Sequence, residues 1–174
     1  MNTFAAPLRS RGFTLIEMLV TMAVIAILLT IVTPSLAALV STSRTRAAQS
    51  ELIASLSLAR SEAAKRGKTV YVSATAPVNG NEFGAGWTVW VDEDDSGAFN
   101  AGDTLIRQFP DISAGVVLGT ASHATQVSFA PTGFLSSLSS LTFKVCGNNA
   151  SSNGYTVALQ ATGMTDLNDQ IQCN

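Results

Sequence analysis

The twenty residues from Thr14 to Thr33, TLIEMLVTMAVIAILLTIVT, carry one charge, Glu17, and this run limits what the chain can become. At about 1.5 Å rise per residue, a helix of that length spans roughly 30 Å, the thickness of a bilayer's hydrocarbon core. Arg9 and Arg11 precede the run, and no basic residue follows it until Arg44. By the positive-inside rule the short leader stays in the cytoplasm and everything after residue 34 is exported. The stretch is too long for an ordinary secretory signal peptide, and no A-x-A-like site follows it. An uncleaved signal anchor is the plain alternative. Glu17 argues against it, because a carboxylate in an apolar span costs about 2.5 kcal/mol or more. No Lys or Arg lies within the span. The expected partner therefore comes from elsewhere, either another chain or a freed terminal amine.

The chain has 174 residues, enough for one compact domain and an extended segment. Its net charge of −2 hides an asymmetry: eight of the ten Lys and Arg residues lie at or before Lys68. From Thr69 onward two cations face nine carboxylates, a net of −7. Such a domain repels a phosphate backbone unless its cations are focused on one face, so composition does not favour nucleic acid. Cys146 and Cys173 both fall in the exported part, where a pair of cysteines is expected to bridge. Closing a loop of about 28 residues would stabilise by roughly 3–4 kcal/mol in the chain-entropy model. Two free buried thiols are the alternative. A metal site on the cysteines lacks ligands, since His123 is the only histidine.

From Ser35 to Arg66 the sequence keeps a helical rhythm, with Leu52, Leu56, Ala59 and Ala63 on one stripe and Ser50, Ser57, Ser61 and Lys65 opposite. Leu36, Leu39 and Val40 form an earlier cluster, and Ile53 and Leu58 sit off the stripe. Lys65 and Arg66 followed by Gly67 signal the end of the helix, and Pro34 can kink or locally unwind it. Beyond Gly67 the period becomes two. Val70/Val72, Trp87/Val89/Val91, Leu105/Arg107/Phe109, Val127/Phe129, Leu141/Phe143/Val145 and Tyr155/Val157/Leu159 alternate between turn signals at Asn79-Gly80, Asp95-Ser96-Gly97, Pro131-Thr132-Gly133 and Ser152-Asn153-Gly154. The fold class is α+β: a long N-terminal helix packed on an antiparallel β-sheet or small β-sandwich.

One motif has metal-ligand spacing. Asp92, Asp94, Ser96 and Asp103 occupy positions 1, 3, 5 and 12 of a calcium-loop pattern, with Gly97 at position 6. Position 12 is Asp instead of the usual Glu, and the flanks read as strands. An acidic hairpin turn kept in water accounts for the same residues, so no cofactor is expected and calcium stays the candidate. Enzyme readings fail on inventory: a triad would have to use His123 as its base, beside Ser122 and Thr125, and no glycine-rich phosphate loop follows a strand. Trp87, Trp90 and Phe99 read as packing residues.

The stretch Arg11-Gly12-Phe13-Thr14-Leu15-Ile16-Glu17 resembles the leader junction of type IV prepilins and type II secretion pseudopilins. The resemblance implies that prepilin peptidase cuts after Gly12 and methylates Phe13, that Glu17 is the fifth mature residue, and that Pro34 matches a proline common in the family. A neighbouring subunit's Glu17 would then neutralise the Phe13 amine in lipid, where a charge pair is little screened. Glu51 to Arg66 and Gly86-Trp87-Thr88-Val89-Trp90-Val91-Asp92 are similar to the group of H-type pseudopilins and T and U minor pilins. The implied organisation is a leader at 1–12, a membrane-spanning half-helix at 13–34, an amphipathic half at 35–67 and a β-rich head at 68–174. The implied function is that of a minor pilin at or near the tip of a type IV pilus. Its partners would be other minor and major pilins and an inner-membrane assembly platform. An H-type pseudopilin of type II secretion is the alternative within the family. A DNA-uptake receptor would need a basic G-R-x-R segment, where this chain has Thr162-Gly163-Met164-Thr165-Asp166-Leu167-Asn168-Asp169. DNA is therefore not an expected partner.

Overall fold

The computed structural model describes residues 12–147 and 153–173, with backbone alone at 31–35, 153 and 168–170. Most of the leader, with Arg9 and Arg11, and Ser152 of the last turn signal lie outside the described residues. The contacts divide the chain into two compact units, Met1–Ala38 and Leu39–Asn174.

Helix α1 runs Leu15–Arg66. Thr14 caps it. Its Oγ1 accepts the Glu17 N–H (3.3 Å), while Glu17 Oε2 accepts the Thr14 N–H and hydroxyl, both at 2.9 Å. This reciprocal capping box satisfies two orphan donors of the first turn. Along Leu15–Leu29 the large apolar side chains are half or more exposed. The helix assignment passes through Pro34 without a break. Among the described residues no helix is long and apolar enough to cross a membrane; of the predicted span, the side chains from 31 to 34 fall outside the description.

In the second unit the stripe is buried as the spacing predicts: Leu52, Leu56, Ala59 and Ala63 are inaccessible, joined by Ala48 one turn earlier. Ser50, Ser57, Ser61 and Lys65 face solvent, and Ile53 packs at the edge of the core. Thr45 and Ser55 are buried with the stripe and return their hydroxyls to the carbonyls of Ser41 and Leu52 (3.0 and 2.7 Å). The helix ends with Lys65 and Arg66 in its last turn, and the Gly67 N–H closes on Ala63 O at 3.0 Å.

Among the described residues eight antiparallel strands follow: β1 Val70–Ala74, β2 Trp87–Val91, β3 Thr104–Phe109, β4 Val116–Thr120, β5 Gln126–Phe129, β6 Leu141–Gly147, β7 Asn153–Leu159 and β8 Thr165–Gln172. They form two four-stranded sheets, ordered β3-β2-β1-β5 and β4-β6-β7-β8. The inward residues of the first sheet (Val70, Val72, Trp87, Val89, Val91, Phe129) and of the second (Leu118, Phe143, Val145, Val157, Leu159) meet the helix stripe in one core. Strand β3 departs from the predicted alternation. Its pairing with β2 shifts between Val89 and Trp90, so Val89 faces Arg107 while Trp90 faces Leu105. This bulge turns Leu105 outward, 47% exposed, and leaves Ile106 packed against the core. Strands β4 and β8 are not marked by alternation: Val116-Val117-Leu118 is a continuous apolar run, and Thr165–Gln172 is mostly polar.

The outer face of the first sheet has a small cluster of its own. Tyr71 stacks on Trp90 at 4.6 Å, Phe99 tilts against Trp90 at 5.4 Å, and the Trp90 indole N–H donates to Ser73 Oγ at 3.0 Å. Leu56→Ala should lower unfolding free energy by about 2–5 kcal/mol, because the cavity opens where both sheets meet the helix. Ser57→Ala, one residue on, should stay within about 0.5 kcal/mol. Urea unfolding of the two variants checks the difference.

Candidate functional site

The residues expected to assemble the chain lie at the start of α1. Gly12 and Phe13 precede the helix and are exposed. Glu17 has a partner within the chain, contrary to the expectation that it must look elsewhere: Oε2 is held by Thr14. No described group bonds Oε1. The Thr14-x-x-Glu17 spacing is a capping-box signal that was readable in the sequence.

The acidic turn folds as a hydrogen-bonded knot. Asp92, 2% exposed, accepts the N–H groups of Ser96 (3.0 Å) and Gly97 (2.9 Å) on its two oxygens. Asp103 accepts the N–H groups of Glu93 (3.0 Å) and Asn100 (2.8 Å). Asp94 accepts from Ser96 N–H at 3.1 Å and from the Asn100 amide at 3.1 Å. Bonds to Ser96 and then Asn100 hold the Asp94 carboxyl below its ordinary value. Asp92, Asp94 and Asp103 each bring a carboxylate oxygen within 4.8 Å of the others. Three hard oxygens at that spacing are the chemistry a calcium ion takes. Ser96, the fourth predicted ligand, instead gives its hydroxyl to Ala98 O at 3.1 Å.

A second buried carboxylate has no local sequence signal. Glu82, 1% exposed, sits between β1 and β2. Its oxygens accept the N–H groups of Gly80 (2.8 Å) and Thr120 (3.0 Å) and meet His123 Nδ1 at 2.8 Å. Neighbouring residues finish the seam: Leu118 N–H donates to Asn81 Oδ1 at 2.7 Å, and Phe83 N–H donates to Leu118 O at 2.9 Å. The loop thereby ties the first sheet to the edge strand of the second. Gly119 permits it, since a Cβ there would collide with Gly80 O and Glu82 Oε2. Burial pushes the Glu82 carboxyl up, but the His123, Thr120 and Gly80 bonds outweigh it and leave the carboxyl below its ordinary value. His123 is thus a partner in this tie.

Cys146 on β6 and Cys173 beyond β8 are bonded, with Cα atoms 5.9 Å apart. The bridge passes Gly154 of β7, where any side chain would strike both sulfurs. At the helix end the cations are engaged within the chain: Arg66 Nε bonds Glu62 at 2.6 Å, Lys65 lies 3.5 Å from the same carboxylate, and Lys68 Nζ donates to Glu93 O at 2.9 Å.

Residues 48–163 match the family described as type II transport protein GspH, and residues 7–33 match the prokaryotic N-terminal methylation motif. No curated protein matches the sequence. Two crystal structures of the type IV minor pilin FimU from Pseudomonas aeruginosa are similar to the chain. The first has 21% identity and a TM-score of 0.61, covering 76% of this chain and 96% of that one. The second has 22% identity and a TM-score of 0.59, covering 76% and 98%. At that identity the likeness is one of fold.

The two buried carboxylates give separate predictions. Asp92→Ala removes the acceptor of two part-buried N–H groups, those of Ser96 and Gly97, and should cost about 1 kcal/mol in urea unfolding. A Glu82 carboxyl lowered by folding stabilises the protein above its unfolded value, near about 4.3, and that contribution disappears as pH falls through the lower folded value. Glu82→Gln should therefore be less stable than wild type at pH 7 and lose less stability between pH 5 and pH 3, measured by unfolding midpoints along a pH series.

Proposed function

The chain belongs to the GspH family of type II transport proteins, and from that premise we propose that it is a minor pilin of the T/U type, cut after Gly12, methylated at Phe13 and built into a type IV pilus near its tip. Before assembly it is held in the inner membrane by residues 13–34 with its head in the periplasm. Its neighbours are other minor and major pilins, reached through the assembly platform. The role is structural, with no reaction catalysed.

The observation that carries this reading is the pairing of a methylation motif with an apolar helix whose Glu17 keeps one oxygen unbonded among the described residues. Cleavage after Gly12 would free a positive amine at Phe13. A carboxylate from an adjacent chain is its natural counter-charge in lipid, where interaction between charges is strong. The helices then associate through the bare side chains of Leu15–Leu29, and this ion pair fixes their register. An H-type pseudopilin of type II secretion is the second reading, favoured by the name of the matching family. The likeness to FimU favours the pilus.

The acidic turn needs no metal in this account, because its three carboxylates are already bridged by N–H donors. Calcium and a chelator should leave the thermal midpoint unchanged; a rise with calcium would assign an ion to Asp92, Asp94 and Asp103. Mass spectrometry of the mature chain should find N-methylated Phe13 at the amino terminus, and a retained leader would overturn the pilin reading. A deletion strain should lose twitching; loss of exoprotein secretion with twitching intact would transfer the chain to the secretion system.

A further inference from the structure

On the solvent side of the buried half of α1 lies a groove of about 520 Å³, walled by Ser57, Arg60 and Ala64 of the helix, by Gly133 and Met164 of two loops and by Thr165 at the start of β8. Arg60 is its charged residue. Its Nε donates to Gly133 O at 3.1 Å, which fixes the guanidinium plane, and among the described residues Arg60 forms no ion pair. The carboxylate nearest in sequence, Glu62, is taken by Arg66 and Lys65. The groove thus holds an uncompensated, pre-oriented guanidinium beside the hydroxyls of Ser57 and Thr165. Its rim is apolar, with Met164 60% exposed. Arginine and methionine in a concave setting are the residue types that anchor protein interfaces, and a fixed guanidinium selects carboxylates.

We propose that this groove receives a carboxylate-bearing loop of the neighbouring filament subunit, a contact that rests on the filament reading above. The argument is charge complementarity. The chain beyond Thr69 carries a net −7, and the groove sets the Arg60 guanidinium against that acidic background. The chain itself shows what such a loop looks like, in the exposed turn Glu93, Asp94 and Asp95. A head-to-tail contact of groove and loop does not close on itself, so it suits a subunit set into an open filament beside a different pilin. Like charge introduced into the groove should weaken the contact strongly, by about tenfold or more.

The test places a photo-cross-linking residue at Ala64 of the full chain, in cells that make the filament, and identifies the captured peptide by mass spectrometry. The expected peptide belongs to a pilin subunit and carries carboxylates. Ser57→Glu, or Thr165→Glu from the opposite wall, should cut its yield about tenfold, while Ser57→Gln leaves it unchanged. Arg60 is left intact because it also holds the Gly133 turn. A captured peptide without carboxylates, no capture in filaments that contain the chain, or a yield indifferent to both glutamates would overturn this contact alone. A chain missing from the filaments altogether would remove the filament reading, and the groove contact with it.

Discussion

An apolar helical face lowers its free energy only when something covers it, and α1 meets that requirement by two different means. From Ala48 to Ala63 its own chain supplies the cover, with two sheets closing on Leu52, Leu56 and Ala59 until no solvent reaches them. From Leu15 to Leu29 the chain supplies none: Ile16, Met18, Leu19, Ile25 and Leu28 stand more than half exposed. At roughly 25 cal/mol per Å² this is a large unsatisfied driving force, one that lipid or other helices of the same kind would satisfy. The rest of the structure follows from that division. The head must fold around the second half without help from the first, and the first half must stay free to find other company.

The polar ties of the head serve this self-sufficiency. Two short four-stranded sheets joined by one helix stripe leave loops that apolar contact alone would not fix. Glu82 and Asp92 fix two of them, each a buried carboxylate whose oxygens take backbone N–H groups, so the charge is offset by oriented donors. Glu82 pins the β1–β2 loop on β4, and Asp92 shapes the turn that brings Phe99 against Trp90. The disulfide does comparable work beside Gly154, tying Cys146 of β6 to Cys173 beyond β8.

Much of this was legible in the residues themselves. The 3.6-residue spacing of Leu52, Leu56, Ala59 and Ala63 picked out the buried stripe, and alternation located six of the eight strands. The two missed strands fail for opposite reasons, β4 being apolar at successive positions and β8 being polar along an edge. Leu105 was assigned the wrong face because one bulge reverses the alternation, and a bulge of this kind leaves no mark in a period of two. The Thr14–Glu17 capping box could have been read from its spacing. The Glu82–His123 contact could not, since it joins residues 41 apart through a loop that exists only once both sheets are formed.

Glu17 is where the two halves of the account meet, because its carboxylate caps the helix through Oε2 while Oε1 has no bond among the described residues. The direct test is the amount of chain recovered in sheared filaments for wild type, Glu17→Ala and Glu17→Asp at equal membrane levels. Charge pairing with the Phe13 amine predicts that Glu17→Ala is processed normally yet nearly absent from the filaments, with Glu17→Asp partly restored. Equal recovery of all three chains would contradict it, and would reduce Glu17 to a helix cap.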